Sequence, residues 1–532
     1  MFMRLYKLAL SVVLGISLVI FVVQTWHWPL VGDAPLIHYA VFLISHGAAP
    51  YRNIVDVNMP GAYGVEYLAM HVFGGGSLAW RLFDLFLGTM CAVAMVAIAW
   101  PYDRLAGFLA GGLFILLHGR DGIIEMGQRD LTMAALLLAG YAFMFQVMRA
   151  EEPQRRLWCT ALFGLCLGVA VTVKPTPMLL APVLIALLCF DMWRKRALWH
   201  PHLLFACGAF LLPLLLVLLW LAHERAIPAF LTVVFRLIPA HADLHRRSFG
   251  YLTSHSFASV LIPPLLLWIP VALCGKFPLS RERWALLLGV VFGLASFYIQ
   301  AKGFSYHRYP AEAFVLLLLC IDLCVCVNRT APAGARWARP LGAAGLVVAV
   351  LVVGVGSVRK AVRYDWRNQQ FDSMLRADLT ALGGSNLNGE VQCLDTAAGC
   401  LSALYRMRLV QATGYLYDCY LLAPAADDQS YQEHFWDSIR SKPPVVFVVT
   451  SHLCGDGPPN YSYHRLHDWP QFDTWIAANY HLYADRIPSR KVYWSGEPAQ
   501  PFGYRIYLRN GVVFPVPAHT SGSPQTIVAH SI

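Results

Sequence analysis

The stretch that decides the fold is Val31-Gly32-Asp33-Ala34-Pro35-Leu36-Ile37-His38-Tyr39, which follows the first long apolar run, Leu8–Val23. A carboxylate at the edge of an apolar segment costs free energy unless it has a partner or a function. Asp33 lies at such an edge, beside a loop of polar and aromatic residues and ahead of many further apolar runs. The pattern therefore predicts a membrane protein in which Asp33 brings chemistry to the membrane surface.

The composition is typical of a polytopic membrane protein. The chain has 532 residues, of which 57% are hydrophobic and 14% are charged, whereas soluble proteins carry about 25% charged residues. Its formal net charge of +10 would suggest nucleic-acid binding in a soluble protein. Here much of the Lys and Arg lies in loops between apolar runs, where these residues set membrane topology. The bilayer is therefore an expected partner and nucleic acid is not.

About eleven apolar segments approach the length of a membrane helix. They are Leu5–Val23, Leu78–Trp100, Leu105–Leu117, Leu131–Val147, Leu157–Val173, Met178–Phe190, Leu203–Leu221, Phe257–Leu273, Trp284–Ile299, Ala313–Val327 and Leu341–Val353. No small-residue cleavage site follows the first segment, which predicts a retained helix with a cytoplasmic N-terminus. Basic clusters in alternate loops agree with this orientation, and an odd number of spans places the C-terminal region on the outer face. The long first outer loop, 26–77, is expected to form short helices on the membrane.

From about Arg359 the composition changes to that of a soluble α/β domain. The predicted strands and helices are Pro443–Thr450, Tyr504–Leu508, Phe371–Leu382 and Gln432–Ser441. The sequence thus predicts three parts: a transmembrane domain at 1–357, an extracytoplasmic α/β domain at 358–515, and a disordered tail at 516–532.

Four cysteines lie in the polar C-terminal region: Cys393, Cys400, Cys419 and Cys454. An even number of cysteines fits disulfides in an oxidising compartment, which agrees with an outer-face domain. Four cysteines allow three pairings, and Cys393–Cys400 with Cys419–Cys454 is only one of them.

Polar side chains gather at the outer ends of the predicted spans, in the stretches 118–130, 174–176 and 300–310. These stretches combine carboxylates, cations and aromatic rings at one membrane depth. Lys and Arg can hold a phosphate, aromatic rings can flank a sugar, and a carboxylate can remove a proton from an attacking hydroxyl. The combination suits a substrate that carries a lipid-linked phosphate.

Structural alternatives exist for most of these residues. Cations at helix ends commonly extend to the interface, which is the alternative for Arg129 and Lys174. Tyr306 and Tyr309 could belong to an aromatic belt. For Asp33 the functional interpretation is favoured over a structural one. The other loop carboxylates are interpreted as helix caps or solvated charges: Asp56, Glu66, Asp121 and Asp130.

The order and sidedness of these motifs resemble the GT-C superfamily of membrane glycosyltransferases, in particular the branch with protein O-mannosyltransferases and the lipid A aminoarabinose transferase. The resembling stretches are Gly32-Asp33, Gly47 to Tyr51, Asn58-Met59-Pro60-Gly61, Gln128-Arg129-Asp130, Lys174-Pro175-Thr176 and Lys302 to Pro310. The resemblance implies a polyprenyl-phosphate-linked sugar as donor, with Asp33 acting in catalysis. Family members often carry a second acidic residue directly after the first, but here Ala34 follows. Glu125 or Asp121 is then the candidate for a second carboxylate.

The resemblance leads us to expect an inverting hexosyl- or pentosyltransferase in the bacterial inner membrane. It would move a sugar from a polyprenyl-phosphate donor to a glycan, lipid or protein acceptor on the outer face. The expected catalytic residues are Asp33, Glu125 and Asp121. The expected donor-binding residues are Arg129, Lys174, Lys302, Tyr306, His307, Arg308 and Tyr309. No cofactor is assigned, and a divalent metal ion is the one candidate.

Besides a non-catalytic assembly subunit, two other functions are compatible with the sequence. A transporter or flippase of a lipid-linked saccharide would also place cations at the membrane faces. Against it, the sequence shows no inverted repeat, and we expect no charged residue deep inside the spans. A glycan polymerase or ligase that transfers whole chains is the second alternative.

Overall fold

The fold is taken from a computed structural model of the chain. It describes residues 2–244, 246–274, 277, 280–328, 337–363, 370–396, 399–422, 429–454, 463–487, 493–494, 497–498 and 503–515. The predicted tail at 516–532 lies outside the described residues.

Helices form most of the chain up to residue 361. In chain order they are α1 (Phe2–Thr25), α2 (Ala34–Ser45), α3 (Pro60–Phe73), α4 (Ser77–Ala99), α5 (Arg104–Asp121), α6 (Arg129–Arg149), α7 (Pro153–Val173), α8 (Ala181–Arg194), α9 (His200–His223), α10 (Ile227–Thr232), α11 (Ile238–Asp243), α12 (Phe249–Ser254), α13 (Ile262–Cys274), α14 (Arg281–Gln300), α15 (Tyr309–Asn328), α16 (Ala338–Val348) and α17 (Gly356–Ala361). Short 3-10 turns at Ile123–Glu125 and Ser305–Arg308 precede α6 and α15.

Nine helical segments among the described residues are long and apolar enough to cross a membrane. They are Met3–Thr25, Ser77–Ala99, Arg129–Arg149, Pro153–Val173, Thr176–Arg194, His200–His223, Arg281–Gln300, Ser305–Asn328 and Ala338–Ala361. The chain is therefore a polytopic α-helical membrane protein, as the sequence predicted. The other two predicted spans fall on α5, which has charged residues at both ends, and on the shorter apolar helix Ser259–Leu273.

Charged residues do lie inside the spans, contrary to expectation. Arg81 and Asp84 of α4 are only 1% and 2% exposed, and they form an ion pair with each other. Asp322 of α15 is fully buried and pairs with Arg283 of α14. A buried charge is tolerated when a counter-charge and hydrogen bonds accompany it, so local pairing explains these exceptions.

The C-terminal part is built on a four-stranded sheet. Its helices are α18 (Gln370–Leu382), α19 (Cys400–Met407), α20 (Cys419–Leu422), α21 (Ser430–Ser441) and α22 (Pro470–Asn479). Its strands are β1 (Val391–Leu394), β2 (Val446–Thr450), β3 (Tyr480–Arg486), β4 (Tyr493–Trp494), β5 (Glu497–Pro498) and β6 (Tyr504–Arg509). The four-stranded sheet has the order β1-β2-β6-β3, with β1 parallel to β2 and β6 antiparallel to both of its neighbours, while β4 and β5 pair separately. The two predicted strands and two predicted helices are confirmed, and β1 and β3 are additional.

The C-terminal part is packed onto the long loop between α1 and α4. One hydrophobic core combines residues of α2 and the following loop with residues of α18, α19 and the sheet. Two disulfides, Cys393–Cys400 and Cys419–Cys454, join segments within this core. The predicted loop helices are therefore present as α2 and α3, and α2 is largely buried beneath the C-terminal part.

Candidate active site

Asp33 lies immediately before α2 and opens towards solvent. Gly32, at φ +69°, brings the chain close to the turn before α6, because a Cβ on it would lie 2.7 Å from a methyl carbon of Ile124. The Oδ2 atom of Asp33 lies 3.3 Å from Nη2 of Arg129 and accepts a 3.4 Å contact from Nε2 of Gln128. Its side chain is still 42% exposed. A carboxylate held beside a cation yet open to solvent can accept a proton from a bound hydroxyl.

Lys174 joins this cluster from the end of α7. Its Nζ donates to the carboxylate of Asp130 and to the side-chain carbonyl of Gln300, at the end of α14. The same ammonium lies 6.0 Å from the centre of the Tyr306 ring. Burial lowers the pKa of Lys174, while the neighbouring Asp130 opposes that shift. The ends of three helices thus meet near Asp33.

Lys302 supplies the least engaged cation of the cluster. Burial lowers its pKa to about 8; the charge of Asp33 works against that shift, whereas Arg129 and Lys174 add to it. Within the described part of the chain it forms no ion pair. Three cations therefore share the space around Asp33 and Asp130, which leaves the cluster with positive charge to spare for an anion.

Glu125 and Asp121 form a separate acidic pair behind the site. Burial raises the pKa of Glu125 to about 8, so this carboxyl keeps its proton at neutral pH. It accepts a hydrogen bond of 2.6 Å from the Ser305 hydroxyl. Asp121 is bound by Arg308 at 3.2 and 3.3 Å, and Arg308 also lies 3.6 Å from Glu312. A protonated carboxyl and a carboxylate already paired with Arg308 are poorly suited to remove a proton.

Five buried polar atoms around the site lack a hydrogen-bond partner that the structure describes, as do others elsewhere in the protein. The five are Glu125 Oε2, Gln128 Oε1, Arg129 Nε, Asp130 Oδ1 and His307 Nδ1. Each such atom costs about 1–3 kcal/mol if nothing satisfies it. A polar molecule bound beside Asp33 would supply the missing partners.

The structure separates the predicted aromatic residues into two groups. Tyr306 and His307 lie at the site with ring centres 4.5 Å apart. Tyr309 is fully buried, and its hydroxyl lies 2.9 Å from Nδ1 of His118 in the interior of the helices. The role of Tyr309 in donor binding stays a prediction, although its hydroxyl is held by a protein partner.

The four carboxylates that the sequence analysis interpreted as caps or solvated charges are buried instead: Asp56, Glu66, Asp121 and Asp130. Asp56 accepts from Asn58 at 2.6 Å and from Tyr63 at 2.8 Å, and burial raises its pKa. Glu66 pairs with His38 at 2.5 Å, and Asp130 pairs with Lys174. Asp130 and Gln128 belong to the site although neither was among its predicted residues. Their position in the stretch 128–130, beside Arg129, was the available signal.

No group of three or more His, Cys, Asp or Glu side chains is arranged to hold a metal ion among the residues whose placement is described. The groups closest to the Asp33 carboxylate are Arg129 and Gln128. Cations beside a carboxylate repel a second positive charge. The residues present therefore do not fit a divalent-metal site at Asp33.

Comparison with known proteins identifies similar solved structures of low sequence identity. No family model and no curated protein matches the chain. Among solved structures, ArnT from Cupriavidus metallidurans bound to undecaprenyl phosphate is similar with a TM-score of 0.57, at 13% identity over 96% of this chain and 99% of that one. The chain has the GT-C fold. The archaeal oligosaccharyltransferase AglB from Archaeoglobus fulgidus, in complex with an inhibitory peptide and a dolichol-phosphate, shares the GT-C fold with a TM-score of 0.54 at 12% identity, over 91% of this chain and 74% of that one.

The resemblance inferred from the motifs is thereby confirmed for the fold. The motifs covered only the membrane part, to about residue 354, whereas the likeness to ArnT covers nearly the whole chain. The C-terminal part is therefore included in the GT-C likeness.

Proposed function

We propose that this protein is a glycosyltransferase that moves a sugar from a polyprenyl-phosphate donor to an acceptor hydroxyl on the extracytoplasmic membrane face. The observation that carries the proposal is the open carboxylate of Asp33 beside three cations, Arg129, Lys174 and Lys302. The fold supports the same class, because the similar ArnT structure contains undecaprenyl phosphate and the similar AglB structure contains a dolichol-phosphate.

The cations bind the donor phosphate and stabilise it as it departs. Lys302 is available because no ion pair of the described residues engages it. Arg129 has an unpartnered buried Nε in addition to its contact with Asp33. Charge-assisted hydrogen bonds to a phosphate strengthen as its negative charge grows in the transition state, so these side chains favour bond breaking more than they favour the bound donor.

Asp33 activates the acceptor in a single displacement. The acceptor hydroxyl gives its proton to Asp33 and attacks the anomeric carbon from the side opposite the phosphate. The new glycosidic bond forms as the bond to the phosphate oxygen breaks, and the bonding electrons leave with the polyprenyl phosphate. The anomeric configuration is inverted.

The two other predicted carboxylates serve to shape the site. Glu125 is neutral at pH 7, and Ser305 donates to it, so it fixes the turn that leads into α15. Asp121 holds Arg308 on the same turn. Both contacts place the stretch from Lys302 to Tyr306 against Asp33.

In this proposal, the segment 409–422 of the C-terminal part borders the space through which the acceptor reaches Asp33. This segment is anchored to the first outer loop, because Tyr39 donates to the carbonyl of Leu409 at 2.9 Å and the amide of Val55 donates to Gly414 at 2.9 Å. Burial and the charge of Asp418 raise the pKa of the Tyr417 phenol, and the charge of Asp33 adds to this shift, so the two side chains are within electrostatic range of each other.

The deciding experiment measures transfer of labelled sugar from synthetic polyprenyl-phosphate donors, both hexosyl and pentosyl, in membranes with native acceptor extract. General-base catalysis contributes about 10²–10⁴-fold, so Asp33→Asn is expected to lose that much of the transfer rate. Asp243→Asn is the matched control, because Asp243 is an exposed outer-loop carboxylate that also contacts an arginine, Arg246 at 3.4 Å. Folded wild-type protein that transfers no label from any donor would contradict the proposal, as would a fully active Asp33→Asn variant.

A further inference from the structure

A fully buried polar network lies behind the site, and neither the sequence motifs nor the proposed chemistry accounts for it. Its centre is the carboxylate of Asp84 in α4. Oδ1 of Asp84 accepts from Nε2 of His118 at 2.7 Å and from the backbone amide of Gly127 at 2.7 Å, while Oδ2 accepts from Arg81. His118 in turn meets the hydroxyl of Tyr309 at 2.9 Å. One carboxylate thus receives three donors from three segments of the chain.

One branch of this network reaches the end of the first span. Arg81 also donates to the hydroxyl of Thr25, the last residue of α1. Its guanidinium lies 5.1 Å from the ring centre of Phe21 and 5.2 Å from that of Trp28. Trp28 is 1% exposed and comes five residues before Asp33. Arg81 therefore fixes the direction in which the chain leaves α1 towards Asp33.

The other branch holds the turn that carries the partners of Asp33. Gly127 has φ +58°, and a Cβ on it would lie 2.5 Å from the ring of Trp80. The next two residues are Gln128 and Arg129, which are the side chains that contact Asp33. The hydrogen bond from the Gly127 amide to Asp84 thus holds the turn directly before those two residues.

We propose that Asp84 is a positioning residue that sets the distance between Asp33 and Arg129. It does so by holding the backbone segment that leads to Asp33 and the turn that precedes Arg129. Because catalytic and phosphate-binding groups must be placed within about 0.5 Å of the productive geometry, loosening either support weakens the donor site. Without Asp84, Arg81 is a buried cation with no counter-charge and the Gly127 amide has no acceptor. The effect on donor binding rests on the proposed function, whereas the effect on the backbone does not.

The test uses Asp84→Ala with Asp322→Ala as its matched control. Both positions are buried aspartates within spans and both pair with an arginine, but Asp322 and Arg283 lie at the opposite end of the helices. Hydrogen exchange of the full-length protein in detergent is expected to be at least tenfold faster at 25–33 and 122–129 in Asp84→Ala, and unchanged there in Asp322→Ala. The Kd for undecaprenyl phosphate is expected to rise about tenfold in Asp84→Ala only.

Unchanged exchange in both segments would overturn the proposal, and so would equal acceleration by Asp322→Ala, which would indicate general loosening. If Asp84→Ala does not fold, Asp84→Asn takes its place. An amide has one acceptor oxygen, so either Arg81 or the Gly127 amide must lose its acceptor, and faster exchange is expected in at least one of the two segments. Wild-type protein that binds no undecaprenyl phosphate would contradict the proposed function, while the exchange result would still decide the role of Asp84.

Discussion

At the end of the helices opposite Asp33, Asp322 and Glu282 are each paired with an arginine. Arg283 donates to both oxygens of Asp322, and the second of these also accepts from the indole of Trp268 at 2.9 Å. Arg149 donates to both oxygens of Glu282 and to the end of α4. At the Asp33 end, by contrast, several charged and polar side chains keep a buried atom without a partner among the described residues.

This contrast separates two uses of the same residue types. Paired charges between helices fix helix register and need nothing further. Around Asp33, in contrast, Arg129 and Asp130 each keep a buried atom without a partner among the described residues, which a bound polar ligand could satisfy. Burial alone would not have distinguished the two ends, since both contain buried aspartates.

Replacing an aspartate by asparagine at each end of the helices tests this comparison directly, and it is expected to give the largest changes in stability and in transfer rate. Asp322→Asn leaves Arg283 without its counter-charge and is expected to lower the free energy of unfolding by about 3–5 kcal/mol. Asp33→Asn breaks a partly exposed contact, which contributes less than about 1 kcal/mol to stability, yet it removes most of the transfer rate. Thermal unfolding and transfer assays on both variants test this, and a stability loss of similar size in both would erase the distinction.

A second pair of substitutions compares a lysine at the Asp33 end with a lysine at the opposite end for their effect on lipid affinity. Lys302→Met removes a charge-assisted contact to the donor phosphate, worth about 1.5–3 kcal/mol, so the Kd for undecaprenyl phosphate is expected to rise roughly 10- to 100-fold. Lys195→Met is the control at the opposite end, where Lys195 lies 2.7 Å from Asp191. Titration of both purified variants with the lipid measures the difference. Equal affinity of Lys302→Met and wild type would remove Lys302 from the donor site.

The sequence predicted the spans well because a membrane helix is a local property of about twenty apolar residues. In the C-terminal part it found β2, which is an apolar run, and β6. It missed β3, whose side chains are mostly exposed and include polar residues such as His481 and Asp485. It also missed β1, which is only four residues long.

The site was only partly predictable for a different reason. Asp33 stood out because it is isolated at the end of a span. Tyr306 and Tyr309 are three residues apart in one motif, and only the packing of α15 against α5 shows that the first faces the site and the second faces His118. Asp130 pairs with Lys174, 44 residues away. Such long-range contacts decide whether a charge is solvated, and no local pattern contains them.

The protonation state of Lys302 predicts how the affinity for the donor lipid depends on pH. Its pKa is about 8, so the free site loses this positive charge as the pH rises through that value. The affinity for undecaprenyl phosphate is therefore expected to fall between pH 7 and pH 9.5, towards that of Lys302→Met, since each unit above the pKa lowers the charged fraction about tenfold. The Lys302→Met variant should show the weaker dependence over the same range. A wild-type affinity that is flat to pH 9.5 would contradict the assignment.

The smallest effect concerns Glu125. This carboxyl is buried at the Asp33 end of the helices, but at neutral pH it carries no charge that would need a counter-charge. Its pKa is about 8 in the folded protein and 4.5 for an ordinary glutamate. Between these values the folded state binds more protons than the unfolded state, so stability falls as the pH rises across this window and levels off above about 8. Glu125→Gln resembles the protonated form and accepts from Ser305 equally well, which removes this source of pH dependence. We therefore expect a thermal midpoint a few degrees above wild type at pH 8.5 and equal to it below about pH 4, whereas a lower midpoint at pH 8.5 would mean that Glu125 is ionised and paired.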